Sequence, residues 1–427
     1  MNRRLARAVV DCLRFDSSAA PALDRIARFG ERDWKTSYRW LDDSGLVLYF
    51  LHRLTELQAE NVLPACVRDR FKDNLEKNRL RVAEMAKEFG ALTGGFEEAG
   101  VQYVAEKGFT LVPEYCSDAG LRLQLDLDFL VSRATVEQAQ AVIRSIGYFQ
   151  AEASGPPDRP WEIGFRAGQL RRPTGNEDYY RPPDQRSVEL HFDLWESDRE
   201  GVEEGSPEEV FGRSVSRSWN GIPYRALGDE DALIQKALHT FKDIKGCWCR
   251  PSLFLEIASF LRNRSVDDTF WARFRDRVGD RAMLADSVNF TFSMALNLLG
   301  GTVPAGGWTN QPPNPALSLW VQRYGSDWAL ADYPGSKLPL LLYPQFIQSR
   351  SLCRKALTTK LFPRRSPGLL AFTETPQPWS LGAARRRRWG ILVGRANYHG
   401  VELLRLCWHY PRWRRALSRS EGAEATA

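Results

Sequence analysis

The sequence predicts an α+β protein in which a small α/β unit is flanked by an N-terminal helical region and a C-terminal helical domain. Two segments, Leu121–Val131 (LRLQLDLDFLV) and Ser187–Trp195 (SVELHFDLW), alternate apolar and polar residues, the period of a half-buried strand. Between them, Ala134–Ile146 has apolar residues at three- and four-residue spacing and ends at Gly147, as an amphipathic helix with a C′ glycine does. Long stretches on either side of this strand–helix–strand unit carry helical periodicity.

Taken in order, residues 1–95 read as helical. Ser44–Gln58 and Val67–Phe89 are amphipathic, and Gly94–Gly95 is expected to punctuate the region. The texture changes at Phe96: a helix end and a glycine turn lead into a short strand, Val101–Ala105, and Thr110–Tyr115 reads as a short helix or turn. After the strand–helix unit, Tyr148–Glu152 opens another strand. The Pro-, Gly- and Arg-rich passage Gly155–Pro183 is longer than most connections and reads as a functional loop or an ordered insertion. From Ser206 the pattern is helical again, through Asp229–Asp243, Pro251–Arg262, Asp267–Val278 and Arg281–Leu299, with Asp229 and Asp267 as N-caps. A loop follows from Gly300. The expected organisation is therefore 1–95 helical, 96–200 the α/β core, 201–349 helical and 350–427 a basic region.

Composition narrows the class. Of 427 residues 43% are hydrophobic and 11% aromatic, with 14 tryptophans, which excludes a wholly disordered chain. Seven scattered cysteines do not form a secreted disulfide framework, and Cys247 and Cys249 have no second pair with which to hold zinc; a packing role at a helix boundary is expected of them. The N-terminus shows no signal-peptide pattern. The longest uncharged stretch, Ser287–Gln322, is too interrupted to span a bilayer, so a cytoplasmic protein is expected. The formal charge of +6 is unevenly spread: Arg350–Ala427 holds 16 Lys and Arg against 4 Asp and Glu, leaving the preceding residues at −6. Arg385–Arg388 and the run Trp408–Arg415 interleave arginine with aromatic residues, a mixture suited to RNA, an anionic membrane surface or an acidic partner, or to a solvated tail.

The chemically loaded element is Asp126-Leu127-Asp128. On a strand, residues two apart face the same way, so both carboxylates project together, and their repulsion is relieved by a cation such as Mg²⁺, which also binds phosphate oxygens. In the second strand Glu189, His191 and Asp193 share a face. If the two strands are neighbours, Glu189, with Asp193 as the alternative, completes a three-acid cluster able to hold two divalent ions for in-line displacement at phosphorus. A half-exposed strand with a polar solvent face is the competing reading. Lys107-Gly108 follows the first strand and Arg122 precedes the acids, both placed where phosphate chemistry needs positive charge.

The ordered residues Lys107-Gly-Phe-Thr-Leu111, Tyr115, Arg122, Asp126-Leu-Asp128-Phe-Leu-Val131, Gly147-Tyr148 and Glu189-Leu-His191 resemble the uncharacterised bacterial nucleotidyltransferase family of the polymerase-β-like superfamily. The likeness extends over about Asp42 to Arg264, including Leu63-Pro64, Leu238-His239 and the segment Arg250–Phe260. It implies a minimal nucleotidyltransferase fold with a mixed sheet of a few strands flanked by helices, and Asp126, Asp128 and Glu189 as catalytic metal ligands for Mg²⁺, two ions expected. Lys107, Gly108, Arg122, His191 and His239 would lie on the nucleotide side. The implied reaction moves a nucleoside monophosphate from an NTP to an acceptor and releases pyrophosphate. Two departures stand out: Lys-Gly replaces the superfamily's usual Gly-Ser, and Glu256 stands where an Asp is expected. Residues 301–427 match nothing in that pattern.

Two other readings compete with this enzyme: a catalytically silent adaptor that docks a partner through its basic tail, and an RNA-modifying nucleotidyltransferase steered by that tail. A small molecule, peptide or protein is favoured over RNA as the acceptor, because no RNA-binding module appears. An anionic partner is expected for the basic region.

Overall fold

The computed structural model describes residues 1–154, 160–168, 179–182, 185–193, 206–347, 349–363 and 381–424. The chain divides into two compact units, one of residues 1–242 and 249–313, the other of residues 243–248 and 314–427.

The first unit opens with helices α1 (Arg3–Cys12), α2 (Ala20–Ile26), α3 (Glu31–Ser44) and α4 (Val47–Glu56), followed by the long α5 (Ala65–Glu98). Their shared core closes around Trp34, whose ring lies 6.1 Å from that of Phe50 and 5.9 Å from that of Phe71. Helix α5 runs through Gly94–Gly95 without a break. A Cβ at Gly95 would stand 2.6 Å from Val142 Cγ1, so this glycine serves close packing against the later helix that carries Val142.

Among the described residues the sheet has seven strands: β1 (Tyr103–Glu106), β2 (Leu127–Val131), β3 (Phe149–Ser154), β4 (Glu162–Gly168), β5 (Gln185–His191), β6 (Val215–Trp219) and β7 (Ile222–Ala226). Their spatial order is β3-β4-β5-β2-β1-β7-β6. Strand β2 runs parallel to β5 and antiparallel to β1, and β1 meets β7 in parallel, so the sheet is mixed as expected. Helix α6 (Val136–Ser145) joins β2 to β3. Alternation sorts the two faces. Tyr103, Leu127, Phe129, Val131, Val188 and Leu190 pack with Phe89 and Phe96 of α5 and Ile143 of α6 in the main core. The residues between them in sequence, Glu106, Asp128, Glu189 and His191, take the other face.

The structure redraws several expected boundaries. Only the second half of Leu121–Val131 is strand; before it, Ala119–Leu121 is a 3₁₀ turn. The carbonyls of Gly120 and Arg122 accept hydrogen bonds from Asn78, and that of Gln124 accepts one from Arg81. This stretch therefore satisfies its backbone on α5 side chains and not on a neighbouring strand. The Pro- and Gly-rich passage contains β4, whose Ile163, Phe165 and Ala167 are buried while Gly164 and Gly168 interrupt the polar positions that would advertise a strand. After Ser206, which caps α7 (Pro207–Gly212), the chain forms the β6–β7 hairpin before becoming helical. Its turn, Asn220-Gly221, has φ of 49° and 80°, the left-handed pair that two-residue hairpin turns use.

Four helices complete the unit: α8 (Asp229–Lys245), α9 (Pro251–Asn263), α10 (Asp268–Val278) and α11 (Ala282–Leu299). Asp267 caps α10 by accepting from Phe270 N. Asp229 instead stands inside its helix, with its carboxylate taken by Arg217 and Arg264.

The second unit holds the short helices α12 (Pro315–Trp320), α13 (Ser326–Ala329) and α14 (Tyr343–Phe346), then α15 (Arg350–Leu361) and the long α16 (Leu381–Glu424). Cys247 is buried there beside Leu340, Tyr343 and Cys353. Among the described residues, no helix is long and apolar enough to cross a membrane.

Phe129 is fully buried, with ring centroids of Phe96 at 5.2 Å and of Phe89 and Tyr103 at 6.0 Å. Phe129→Ala is expected to destabilise the first unit by about 3–5 kcal/mol, read as a lower denaturant midpoint at unchanged slope.

Candidate active site

The site lies on the face of the sheet opposite α5. Register builds it: Glu106 of β1 pairs with Asp128 of β2, and Asp128 pairs with Glu189 of β5. Three acids therefore form one row across three central strands. Glu162 of β4 is opposite His191 of β5, adding a second row beside the first. Asp128, Glu189 and His191 each offer a ligand atom within 4.8 Å of the others.

Hydrogen bonds and charge hold this arrangement. His191 Nε2 lies 3.2 Å from Asp128 Oδ1 and 3.9 Å from Glu189 Oε2, and its Nδ1 lies 3.9 Å from Glu162 Oε2. Lys107 Nζ is 3.5 Å from Asp128 Oδ2, and Arg166 Nη2 is 4.0 Å from Glu189 Oε1. Burial works against the charged form of Asp128, but Lys107 and the His191 hydrogen bond hold its carboxyl well below the usual range. His191 is pushed up to about 9: burial opposes its charge, and the bond to Asp128 together with the charges of Glu106 and Asp128 outweighs burial. Lys107 is likewise opposed by burial and held protonated by Asp128.

The remaining acids respond in the opposite direction. The charge of Asp128, followed by burial, pushes Asp126 up to about 6. Burial, then the charges of Asp128 and Asp126, pushes Glu189 up to about 8. Burial also raises Glu106, whose Oε1 is buried without a hydrogen-bond partner. Among the described residues, five carboxyl groups, on Glu106, Asp126, Asp128, Glu162 and Glu189, thus face the cationic side chains of Lys107, Arg166 and His191, with Arg122 adding charge near Asp126. A surplus of hard oxygen donors, one of them orphaned, suits a hard divalent cation. The residues present fit Mg²⁺.

Of the residues expected at the site, Asp128, Glu189 and His191 come together directly. Asp126 sits just before β2, electrostatically coupled to Asp128 but outside the group of three. Asp193 leaves the strand and pairs with Arg133 at 3.1 Å. Lys107 has φ of 54° and reaches Asp128 instead of standing free. Gly108, with φ of 50°, lies so close to Gln124 that a Cβ would come within 2.4 Å of its Nε2; a side chain here would have to displace the Gln124 amide, and the positive φ favours glycine.

Arg122 turns its Nε to Glu256 Oε1 at 3.1 Å, while one side of it lines a small pocket with Lys107, Gln235, Lys236 and His239. Burial, then Lys107 and Lys236, drive His239 to its neutral form. Glu256, the departure from the expected Asp, is the buried hub of this region. Its Oε1 accepts from Arg122 and, at 3.2 Å, from Tyr49 Oη; its Oε2 pairs with Lys236. Four separate elements meet on one carboxylate, which ties α4, α8 and α9 to the segment leading into β2. Sequence reasoning missed Glu106, Glu162 and Lys236. Glu106 adjoins the Lys-Gly pair and would have been found by asking which residue opposes Asp128; Lys236 gives no local signal on its amphipathic helix.

Residues 30–300, which include this acidic row, match the family described as uncharacterised nucleotidyltransferase. The chain belongs to that family, and its general activity is that of a nucleotidyltransferase. No curated protein matches it.

Removing the hub carboxylate is expected to strand two buried cations. Glu256→Gln should destabilise the first unit by about 3–5 kcal/mol in denaturant titrations. Burial raises the Glu256 carboxyl, but Lys236 and Arg122 outweigh it and leave it below its ordinary value of 4.5. Its contribution to stability is therefore complete above that value and is lost as the pH falls through the lower folded-state value. Thermal melts against pH should show less acid-side loss in Glu256→Gln than in the wild type.

Proposed function

We propose that the protein is a Mg²⁺-dependent nucleotidyltransferase that transfers a nucleoside monophosphate from an NTP to a hydroxyl or similar acceptor and releases pyrophosphate. The observation that carries this reading is the row Glu106–Asp128–Glu189, with Asp126 at its mouth, inside the span that matches the family. Asp126, Asp128 and Glu189 would hold the metal. A bound Mg²⁺ supplies charge neutralisation for the phosphate oxygens and lowers the cost of developing charge at phosphorus.

The chain's own residues divide the remaining work. Lys107, beside Asp128, and Arg122 and Lys236, lining the adjoining pocket, present buried positive charge to the triphosphate. His191 fixes the orientation of Asp128 through its Nε2 contact. Neutral His239 contributes an imidazole hydrogen-bonding group to the same pocket without adding charge. Burial and the charges of Asp128 and Asp126 raise the Glu189 carboxyl, so a divalent cation held there would displace its proton.

Equilibrium binding of labelled ATP, GTP, CTP and UTP with Mg²⁺ tests this. The wild type is expected to bind at least one of them in a Mg²⁺-dependent way, and Asp126→Asn/Asp128→Asn is expected to lose that dependence. With a competent acceptor, pyrophosphate release should fall by about 10²-fold or more in the double variant. Equal binding by wild type and variant would favour the silent adaptor instead.

A further inference from the structure

Most of the described part of the basic C-terminal region forms α16, and the two sides of this helix have different environments. Glu402 accepts from Lys337 N at 2.7 Å, Tyr398 Oη donates to the carbonyl of Gly335 at 3.3 Å, and Trp413 is buried with its ring 6.3 Å from that of Tyr324. At about 100° per residue these three positions share one side of the helix, the side packed within the second unit.

The opposite side is uncovered and carries two pairs of large apolar residues, with exposed Asn397 and Gly400 between the pairs. Trp389, Val393, Leu404 and Trp408 fall within an arc of about 100° centred roughly opposite the packed side. Their exposures are 67%, 62%, 72% and 63%. Large apolar side chains this exposed, aligned over five turns of one helix, are not the scattered surface hydrophobes of ordinary proteins. Arginine borders the stripe: Arg412, Arg414, Arg415 and Arg419 are exposed, and Arg412 stacks on Trp408 at 3.8 Å from the ring centroid. Within residues 389–420 the sole acidic residue is Glu402, which is buried and bonded to Lys337 and Arg405.

We infer that the outward face of α16 is a docking surface for an anionic phospholipid bilayer, with the helix lying along the headgroup region rather than crossing it. Trp, Leu and Val enter the headgroup–acyl boundary, while flanking arginines keep their aliphatic stems in it and their guanidinium groups on lipid phosphates. Charge complementarity selects this occupant. A second copy of the helix would bring arginine against arginine. RNA would find the aromatic rings and the charge, but Val393 and Leu404 offer nothing to a base or a phosphate. This surface is independent of the carboxylate cluster, and its role does not rest on the proposed chemistry.

Flotation of the full-length chain with vesicles tests the inference, using phosphatidylcholine alone and phosphatidylcholine mixed with phosphatidylglycerol. The wild type is expected to float with the mixed vesicles, weakly or not at all with phosphatidylcholine, and less as salt rises. Leu404→Glu/Trp408→Glu should lower partitioning by about tenfold or more, and Arg412→Gln/Arg414→Gln/Arg415→Gln should lower it while flattening the salt dependence. Both variants change exposed residues, and circular dichroism checks that helix content is kept. Three results would overturn the assignment. One is no flotation with mixed vesicles at low salt. Another is flotation that Leu404→Glu/Trp408→Glu leaves unchanged, meaning adsorption by charge alone. The last is a wild-type dimer that the apolar variant dissolves without any vesicle binding, which would make a second copy the occupant.

Discussion

Everything at the site follows from the pairing of β2 with both β1 and β5. Register places Glu106, Asp128 and Glu189 side by side on one buried face. Neighbouring strands are about 5 Å apart, so three carboxyls in a row repel strongly where water cannot screen them. The molecule answers by inserting Lys107 and His191 between the acids and by leaving Asp126 and Glu189 with raised proton affinity. A site in this condition favours a cation.

The other face of the sheet makes this arrangement possible. Phe129, Val131, Val188 and Leu190 bury themselves against α5 and α6, which fixes which residues of the same strands must point to the acidic side. A one-residue slip of β5 would put Val188 and Leu190 among the carboxylates and Glu189 in the aromatic core. The apolar pattern thus protects the geometry of the polar one. The Glu256 hub does similar work from outside the sheet, because it holds Arg122 and Lys236 at the edge of the pocket without leaving either charge unpaired.

The two units carry different kinds of surface. The first concentrates charge inside, where pairing and burial tune it. The second displays charge outside, along a helix that has one face packed and one face bare. Composition alone could not separate these cases: the positive balance of residues 350–427 is equally that of a solvated tail, and exposure of Trp389 and Leu404 is what distinguishes them.

The sequence by itself determined the class of fold and most of the central strands and helices, because alternation and helical periodicity are local properties that hydrophobic burial enforces, and it put Asp126, Asp128 and either Glu189 or Asp193 forward as candidate acids. It also carried the Asn220-Gly221 turn signal of the β6–β7 hairpin, inside a segment whose pattern reads as helical. Only the tertiary structure decided where strand gave way to extended coil at Leu121–Asp126, since that depends on Asn78 and Arg81 of a distant helix taking the backbone carbonyls. It likewise decided that Glu106, Glu162 and Lys236 join the site and that Asp193 leaves it. Those outcomes are set by register and by ion pairs between residues far apart in the chain, and no local pattern encodes which partner a buried charge will meet.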